Sequence, residues 1–433
     1  LQGIEIENRA AYDPFKDRCF GFRMEGSGLA KSSPLELTSD GAVKSIDICI
    51  STDSGIYSDP DEWTSKVNSI AASVPGSRKS LRRTAGYWNR FWKKSYILVE
   101  TPDGDTGRKI NRAYILQSWI MACAGRGNYP IKFNGSIFTV DPKFTDDGTD
   151  FDPDFRRWGG DYWWQNTRLP YYPMLRSGDF DMMKVLFRHY FGNLDMMKAN
   201  ARALLGAEGA ISPETATVFG TYCPQDYGWD RSQCTDRLTV NNYIRRIWSS
   251  SLEMISLMLD YYDYTGDKSL TRDMTVPYAR EFLKFYDSYY GRDTEGKLVI
   301  EPTQSIETYW YDVVNDMPTV AGLHDVLPRL RALPEDLSDD ADKALWQHLF
   351  ESLPDIPVRV EDGVEVFSPA ASYNPARSNV ENPELYPVFP FHLCNISTDN
   401  LQTGRESFER RPVKTTFGWS HNRWIYRHTF YSL

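Results

Sequence analysis

The spacing of apolar and polar residues changes along the chain, and the change predicts two kinds of structure. Over residues 1–76 apolar and polar side chains alternate, as in the runs CFGFRMEG and KSIDICIST, and clusters of Gly, Ser, Pro and Asp separate the runs. Such alternation is typical of strands with one buried face. We predict that 1–76 is the end of a β-sandwich domain, because it holds too few strands for a complete large sandwich. The stretch 54–76 adds a helix that starts at Asp-Pro-Asp-Glu and stops at Pro-Gly.

Beyond residue 76 the apolar positions recur with helical spacing. The patterns over 77–98 and 110–125 each place aromatic or aliphatic side chains on one side of a helix. We predict a helical linker over 77–108 and a larger helical domain over 109–433. Further helices are predicted at 172–176, 180–205, 240–265, 272–290, 319–332, 341–352 and 400–410.

Three long irregular segments separate these helices, at 206–236, 292–316 and 353–398. Loops longer than about 12–15 residues are uncommon unless they have a function. Their recurrence predicts helical hairpins whose loops meet at one end and form a cleft. No internal sequence repeat is evident, which argues against a regular solenoid. The predicted fold is therefore mainly α, a barrel of helices.

The amino-acid composition limits the class of molecule that this protein is expected to bind. Aromatic residues make up 14% of the 433 residues, and Trp and Tyr offer flat apolar faces with a polar edge that suit sugar rings. A net charge of −10 without a marked basic patch argues against nucleic acid. No apolar run approaches the ~20 residues that a membrane helix needs. We expect an oligosaccharide or polysaccharide as the partner.

The cysteines and histidines predict neither a metal nor a cofactor. The six Cys lack C-x-x-C pairs, the six His lack metal spacing, and no Gly-rich phosphate loop is present. Cys223 and Cys234 are candidates for a disulfide within one loop.

The strongest catalytic candidate is Glu307, in the segment KLVIEPTQSIETYW at 297–310. A short strand is predicted at 297–300, and the polar loop after it presents Glu307 beside Tyr309 and Trp310. Neighbours of low polarity raise the pKa of a carboxyl, and a raised pKa suits a general acid near neutral pH. The alternative is a loop glutamate paired with an arginine.

A second segment, WGGDYWWQNTRLPYYP at 158–173, combines stacking faces with amide, carboxylate and guanidinium groups. Asp161 is a further catalytic candidate, and the alternative for the segment is a helix start buried among aromatic residues. The predicted sugar contacts are Trp158, Trp163, Trp164, Gln165, Asn166 and Arg168.

Two more loops carry carboxylates. Glu214, in 209–230, is a candidate second catalytic carboxylate, a ligand for a sugar hydroxyl or a helix-capping residue. In 379–392, Glu381 and Asn382 lie between prolines and aromatics, and with Trp310 they are predicted to contact substrate. Acid-bearing, aromatic-rich loops at the mouth of a helical barrel indicate a sugar-cleaving site with two carboxylates.

The order of these motifs resembles glycoside hydrolase family 95, the α-L-fucosidase and α-L-galactosidase family, from about residue 80 onward. Matching motifs are Trp158 to Asp161 with Gln165 and Pro170, then CPQD at 223–226, YYDYTGDKSL at 261–270, SIET at 305–308 and RRPVKTTFGWS at 410–420. The resemblance implies an (α/α)6 toroid with a β-sandwich and a helical linker. It also implies inversion, with Glu307 as general acid.

The chain departs from the family pattern at three places. Two asparagines of the family fall on Trp163 and Thr167, and a His-rich stretch is replaced by NVENPELY at 379–386. The family's general base, an Asp downstream of the Gly-Trp-Ser motif, would lie beyond Leu433. These departures weaken the implication of fucose specificity and leave the sugar open, and we expect a chain incomplete at both ends. Asp161, Glu214 and Glu381 are the candidates for a base within the chain.

Two other functions are open at this point. A polysaccharide lyase can share a helical toroid, and Tyr171, Tyr172, Tyr309 and Arg168 would supply its chemistry. A non-catalytic glycan-binding relative would explain the lost His and Asn positions. We expect a periplasmic or secreted location, although no signal peptide stands in this chain.

Overall fold

The structure is a computed structural model that describes residues 2–4, 15–132 and 161–414. Two compact units divide the chain: Glu7–Gly107 is one, and Leu1–Ile6 with Arg108–Leu433 is the other. The finer division into sandwich, linker and toroid stays a prediction.

The unit Glu7–Gly107 is built on an antiparallel pair of nine-residue strands. β1 (Arg18–Gly26) pairs with β4 (Ile48–Ile56), so the alternating runs form the predicted strands. Helix α1 packs on this pair and buries Val67 and Ala71. Phe20 and Phe22 remain 76% and 63% exposed. The other elements of this unit are β2 (Ala30–Ser33), β3 (Glu36–Thr38), α1 (Pro60–Ser73) and α2 (Ser77–Lys94).

The larger unit is mainly helical, as the spacing predicts. Helix α3 (Asp105–Ala124) spans its start at Arg108, and two single wide turns of π-helix lie at Ala201–Leu205 and Thr271–Thr275. Short 3-10 turns lie at Glu335–Leu337 and Pro383–Leu385. Its α-helices are α4 (Trp164–Thr167), α5 (Tyr172–Ser177), α6 (Phe180–Gly192), α7 (Leu194–Asn200), α8 (Pro224–Tyr227), α9 (Ser250–Thr265), α10 (Lys268–Leu270), α11 (Val276–Tyr289), α12 (Met317–Arg331), α13 (Asp340–Glu351) and α14 (Leu401–Arg410).

Short antiparallel strand pairs connect the loops between these helices. Among the described residues each pair is a separate two-stranded sheet. The pairs are β5 (Tyr162–Trp163) with β6 (Thr215–Ala216), β7 (Gly291–Arg292) with β8 (Leu298–Val299), β9 (Val314–Asp316) with β12 (Ala370–Ser372), and β10 (Val358–Glu361) with β11 (Val364–Phe367). They fix the loops that carry the candidate site.

The core of the larger unit centres on α9, which packs against α11 and α12. Nearly every residue of α9 from Ser250 to Leu259 is buried, so this helix is surrounded rather than amphipathic. Helix α12 begins where the Asp316 side chain accepts a hydrogen bond from the Thr319 N–H at 3.0 Å. None of the described helices is both long and apolar enough to cross a membrane.

The helix predicted at 240–265 begins only at Ser250. The side chain of Gln304 donates to the carbonyls of Asn242 and Tyr243 and accepts from the Arg246 N–H at 2.6 Å. These bonds occupy backbone groups that a helix would need, so the preceding segment stays irregular.

The segment predicted as a loop at 353–398 contains the hairpin of β10 and β11. Asp362 and Gly363 form its turn with φ angles of 50° and 79°. An Asp-Gly pair between alternating apolar residues is a strong hairpin signal, because both positions need positive φ. The loop prediction is therefore wrong over Val358–Phe367, where two strands pair.

Close packing of α9 against α12 requires Gly322. A Cβ at this position would lie 2.8 Å from the Leu252 Cβ and 2.8 Å from the Phe391 ring. We expect Gly322→Ala to lower the free energy of unfolding by about 1–3 kcal/mol, measured by urea denaturation, because it overpacks the core. Gly192→Ala is the matched control: its Cβ would meet nothing within 4 Å. Equal stability of the two variants would contradict this account of the packing.

Candidate active site

Glu307 lies on a tight turn in the loop between β8 and β9. The Ser305 N–H donates to the Tyr309 carbonyl at 3.0 Å, and the Tyr309 N–H donates back to the Ser305 carbonyl at 3.2 Å. Ile306 has a φ of 45°, a strained value for a β-branched residue. The two bonds close the turn and project Glu307 from its tip.

A second segment, residues 369–381, holds this turn along its length, and we call it the clasp. Its side chains and backbone bond to the turn, so the two loops form one hydrogen-bonded structure. The bonds are Ser305 Oγ to Pro369 O at 2.7 Å, Ser378 N to Thr308 O at 2.9 Å, Asn374 N to Tyr311 O at 3.0 Å, Arg377 Nη1 to Tyr309 Oη at 2.6 Å and Asn379 Nδ2 to Glu307 Oε2 at 2.7 Å.

The surroundings of Glu307 favour the uncharged form of its carboxyl. Its burial raises the pKa to about 9, and the carboxylates of Glu381, Glu214 and Asp226 act in the same direction. The Asn379 amide lowers the pKa but does not offset the other effects. Within the described ranges the Glu307 carboxyl bonds to this amide and to no arginine, which is the partner that the alternative interpretation requires.

Glu381 lies directly behind the turn and is 6% exposed. Its Oε2 accepts from the Thr308 hydroxyl at 3.0 Å and from the Glu307 N–H at 3.2 Å. Burial raises its pKa to about 7, while Thr308, Gln165 and Arg168 favour the charged form. These hydrogen bonds and the Arg168 charge therefore oppose the effect of burial on Glu381.

Glu214 lies directly before β6, and its hydrogen bonds hold the segment 161–168 beside β6. Its carbonyl accepts from the Trp164 N–H, and its Oε1 accepts from the Gln165 N–H, each at 2.9 Å. The second bond satisfies a backbone N–H in the first turn of α4. Burial raises the pKa of Glu214 to about 8, and Glu381 contributes to the rise.

Asp161 forms a separate acidic group with Asp226 and Cys223. Burial and the charge of Asp226 raise the pKa of Asp161 to about 7, and Lys132 opposes this rise. One potential ligand atom from each of the three lies within 4.8 Å of the others, close enough to hold a metal ion. Because the Lys132 ammonium bonds to the Asp161 carbonyl at 2.6 Å, a cation already lies there. We assign no metal to the group.

Cys223 and Cys234 are free thiols, so the candidate disulfide is not formed. The other four cysteines are free as well.

Three predicted sugar contacts lie in the interior. Trp164 is 1% exposed and donates its indole N–H to Glu253 Oε2 at 3.2 Å. Arg168 is buried and forms an ion pair with Glu253. Asn382 uses both amide atoms on the backbone of Val413. The structure gives them a supporting role in place of the predicted sugar contact, because burial and internal bonds occupy their binding groups.

The other predicted contacts lie nearer the carboxyls. Trp163 and Asn166 are partly buried, and Gln165 acts on the charge of Glu381. The Trp310 indole N–H donates to the Glu307 carbonyl at 2.7 Å, and its ring meets Tyr243 edge to face at 4.7 Å. Trp158 lies outside the described residues, as do the Gly159-Gly160 pair and the Gly-Trp-Ser motif at 418–420.

Sequence reasoning did not single out Asn379, Thr308 or Tyr243. All three lie in or beside segments already noted, but their roles depend on contacts between distant parts of the chain. Asn379, for example, is 72 positions from Glu307. The repeat of apolar residues in a sequence indicates helices and strands. These three residues lie in irregular loops, where no such repeat exists, so the sequence carries no signal for their contacts.

A mainly helical unit whose loops gather buried carboxyls is the arrangement of glycoside-active enzymes built on an (α/α)6 toroid. Within that class the chain belongs to glycosyl hydrolase family 95, whose catalytic-domain model matches residues 152–428. The family resemblance proposed from the ordered motifs is therefore confirmed. A second model, a domain of unknown function (DUF5703), matches residues 1–97.

A solved structure shares the fold. It is described as a putative kojibiose phosphorylase from human microbiome, with a TM-score of 0.55 and 12% sequence identity. The similarity covers 79% of this chain and 45% of that chain, so this chain spans less than half of its length. The predicted toroid is confirmed by this similarity and by the family match. No curated protein matches the chain.

Proposed function

We propose that this protein hydrolyses glycosidic bonds in complex glycans by inversion, with Glu307 as general acid. The observation that carries the proposal is the Glu307 carboxyl itself. Burial and neighbouring carboxylates raise its pKa to about 9, and the clasp fixes its position. A general acid must hold its proton at the working pH, and this carboxyl does so near neutrality.

In the proposed reaction Glu307 gives its proton to the glycosidic oxygen as the C–O bond breaks. A water molecule attacks the anomeric carbon from the opposite face, and a carboxylate takes one proton from that water. Inverting enzymes keep the two carboxyls roughly 6.5–9.5 Å apart to admit the water. Of the candidates predicted from the sequence we propose Asp161 as the base, because the pKa of Glu214 is raised to about 8 and Glu381 is bonded to the turn.

The proposed sugar contacts are the side chains that remain accessible around Glu307. Trp310 and Tyr243 meet edge to face and form an aromatic corner beside the turn. Trp163 and Asn166, which are partly buried, belong to the segment 161–168, and the buried Gln165 acts on Glu381 beside them. Stacking faces beside amides suit a saccharide, so we propose an oligosaccharide or polysaccharide substrate. A periplasmic or secreted location would suit a polymeric substrate.

The test is time-resolved ¹H NMR of the chain with a panel of defined oligosaccharides, with and without inorganic phosphate. We expect a reducing sugar whose first-formed anomer is opposite to that of the substrate, at a rate independent of phosphate. A retained anomer would overturn inversion, and a sugar phosphate would indicate phosphorolysis. Unsaturated products would indicate a lyase, and binding without turnover would indicate a glycan-binding relative.

A further inference from the structure

We infer that Glu381 is a positioning residue: its carboxylate orders the turn that carries Glu307 and, as a like charge beside it, keeps the Glu307 carboxyl in its acid form. This inference rests on the proposed function only where it concerns the effect of Glu381 on the rate of hydrolysis. The effect on Glu307 itself can be measured without a substrate.

The first support is the pair of bonds at Glu381 Oε2. One oxygen accepts from the Glu307 N–H and from the Thr308 hydroxyl, so it spans two successive residues at the tip of the turn. Bonds from a backbone N–H and a hydroxyl to a carboxylate are stronger than those between neutral groups. The charge of Glu381 thus helps to hold the backbone where Ile306 is strained.

The second support is that Glu381 cannot easily leave this position. The Arg377 guanidinium bonds both to the Glu381 carbonyl and to the Tyr309 hydroxyl, which ties its backbone to the same turn. The side chain is 6% exposed. A substrate-binding role, which the sequence suggested, would require a more accessible carboxylate.

The third support is the balance of charge around Glu307. The clasp contributes Glu381 and the neutral Asn379, and the loop at 209–227 contributes Glu214 and Asp226. Arg168, behind α4, is the cation that acts on Glu381 and Glu214. It is already paired with Glu253. Among the described groups that act most strongly on Glu307, carboxyls therefore outnumber cations, and this excess of negative charge favours the protonated form of Glu307.

The sign of the effect follows from this arrangement. A neighbouring carboxylate disfavours ionisation of Glu307, so it raises the Glu307 pKa. The general acid works in its protonated form, and activity should fall as the pH rises through that pKa. Removing the charge of Glu381 should move this alkaline limit to lower pH. Burial, the larger cause, would still keep the pKa above its ordinary value.

The experiment is a ¹³C NMR pH titration of the full chain labelled at glutamate Cδ, with the Glu307 signal assigned by its loss in Glu307→Gln. Glu381→Gln keeps an oxygen that can accept both hydrogen bonds but removes the charge. We expect it to lower the Glu307 midpoint by roughly one pH unit or more. Glu384→Gln is the matched control, since this buried carboxyl lies three residues away and is not among the strongest influences on Glu307.

An unchanged Glu307 midpoint in Glu381→Gln, or an equal shift in Glu384→Gln, would overturn the inference. Glu381→Asp is a second variant in case Glu381→Gln does not fold. It keeps the negative charge but places it one methylene further from the turn, so we expect a smaller shift of the Glu307 midpoint than in Glu381→Gln. A larger shift for Asp would count against the inference too.

The outcomes separate this inference from the proposed function. A chain that shows the expected shift but hydrolyses no glycan would refute hydrolysis and leave the role of Glu381 intact. If hydrolysis is found, the alkaline limb of kcat/KM should move with the NMR midpoint in Glu381→Gln. A loss of rate at every pH without that movement would indicate a purely structural residue.

Discussion

Glu307→Gln is expected to lower kcat/KM for glycan hydrolysis by about 10²–10⁴-fold, the usual contribution of a general acid. The amide fills the same volume and can still face Asn379, so the turn should keep its shape. It has no proton to give to the departing oxygen. The measurement is the initial rate of reducing-sugar release across a range of pH.

Glu301→Gln provides the matched control for this variant. Glu301 is exposed, lies six positions earlier in the same loop and undergoes the same chemical change. Its rate should equal that of the unmodified protein. Hydrolysis retained by Glu307→Gln would remove Glu307 from the acid role. An equal loss in both variants would indicate a general disturbance of the loop.

Arg168→Met is expected to lower the free energy of unfolding by about 3–5 kcal/mol. Both side chains of its ion pair with Glu253 are nearly inaccessible, at 8% and 2% exposed. Removing the guanidinium leaves a buried carboxylate with the Trp164 indole N–H as its remaining described hydrogen-bond partner. Urea denaturation followed by circular dichroism measures the loss.

Two further variants test whether the unpaired charge causes that loss. In Arg168→Met with Glu253→Leu no charge is left buried, so much of the stability should return. Lys284→Met breaks an ion pair with Glu208 whose side chains are 48% and 70% exposed, and it should cause no measurable change. A double variant as unstable as the single one would show that packing, not charge, sets the cost.

The periodic spacing of apolar residues correctly located the strands and helices that bury one face in a regular repeat. The strands β1 and β4, and the helices from α11 to α14, lie close to their predicted positions. The start of α9 was misplaced because the Gln304 side chain occupies backbone groups of the preceding segment. That competition comes from a residue about 60 positions away, which no local pattern can reveal.

The sequence predicted which residue types form the candidate site, but it did not predict which of those side chains are accessible to a ligand. Trp163 and Trp164 are neighbours of the same kind, yet Trp163 is partly buried and Trp164 lies in the core. The change from β5 to α4 between them turns successive side chains in different directions. Likewise Arg168 pairs with Glu253, a glutamate in a helix that looked like ordinary core.

The clasp also bears on the thermodynamics of ligand binding. Ordering a flexible loop costs roughly 1–2 kcal/mol of backbone entropy for each residue that is fixed. Here the hydrogen bonds that join Pro369, Arg377, Ser378 and Asn379 to the turn offset that cost during folding. A ligand that reaches Glu307 would then meet a preorganised surface, and more of its contact energy would remain as affinity.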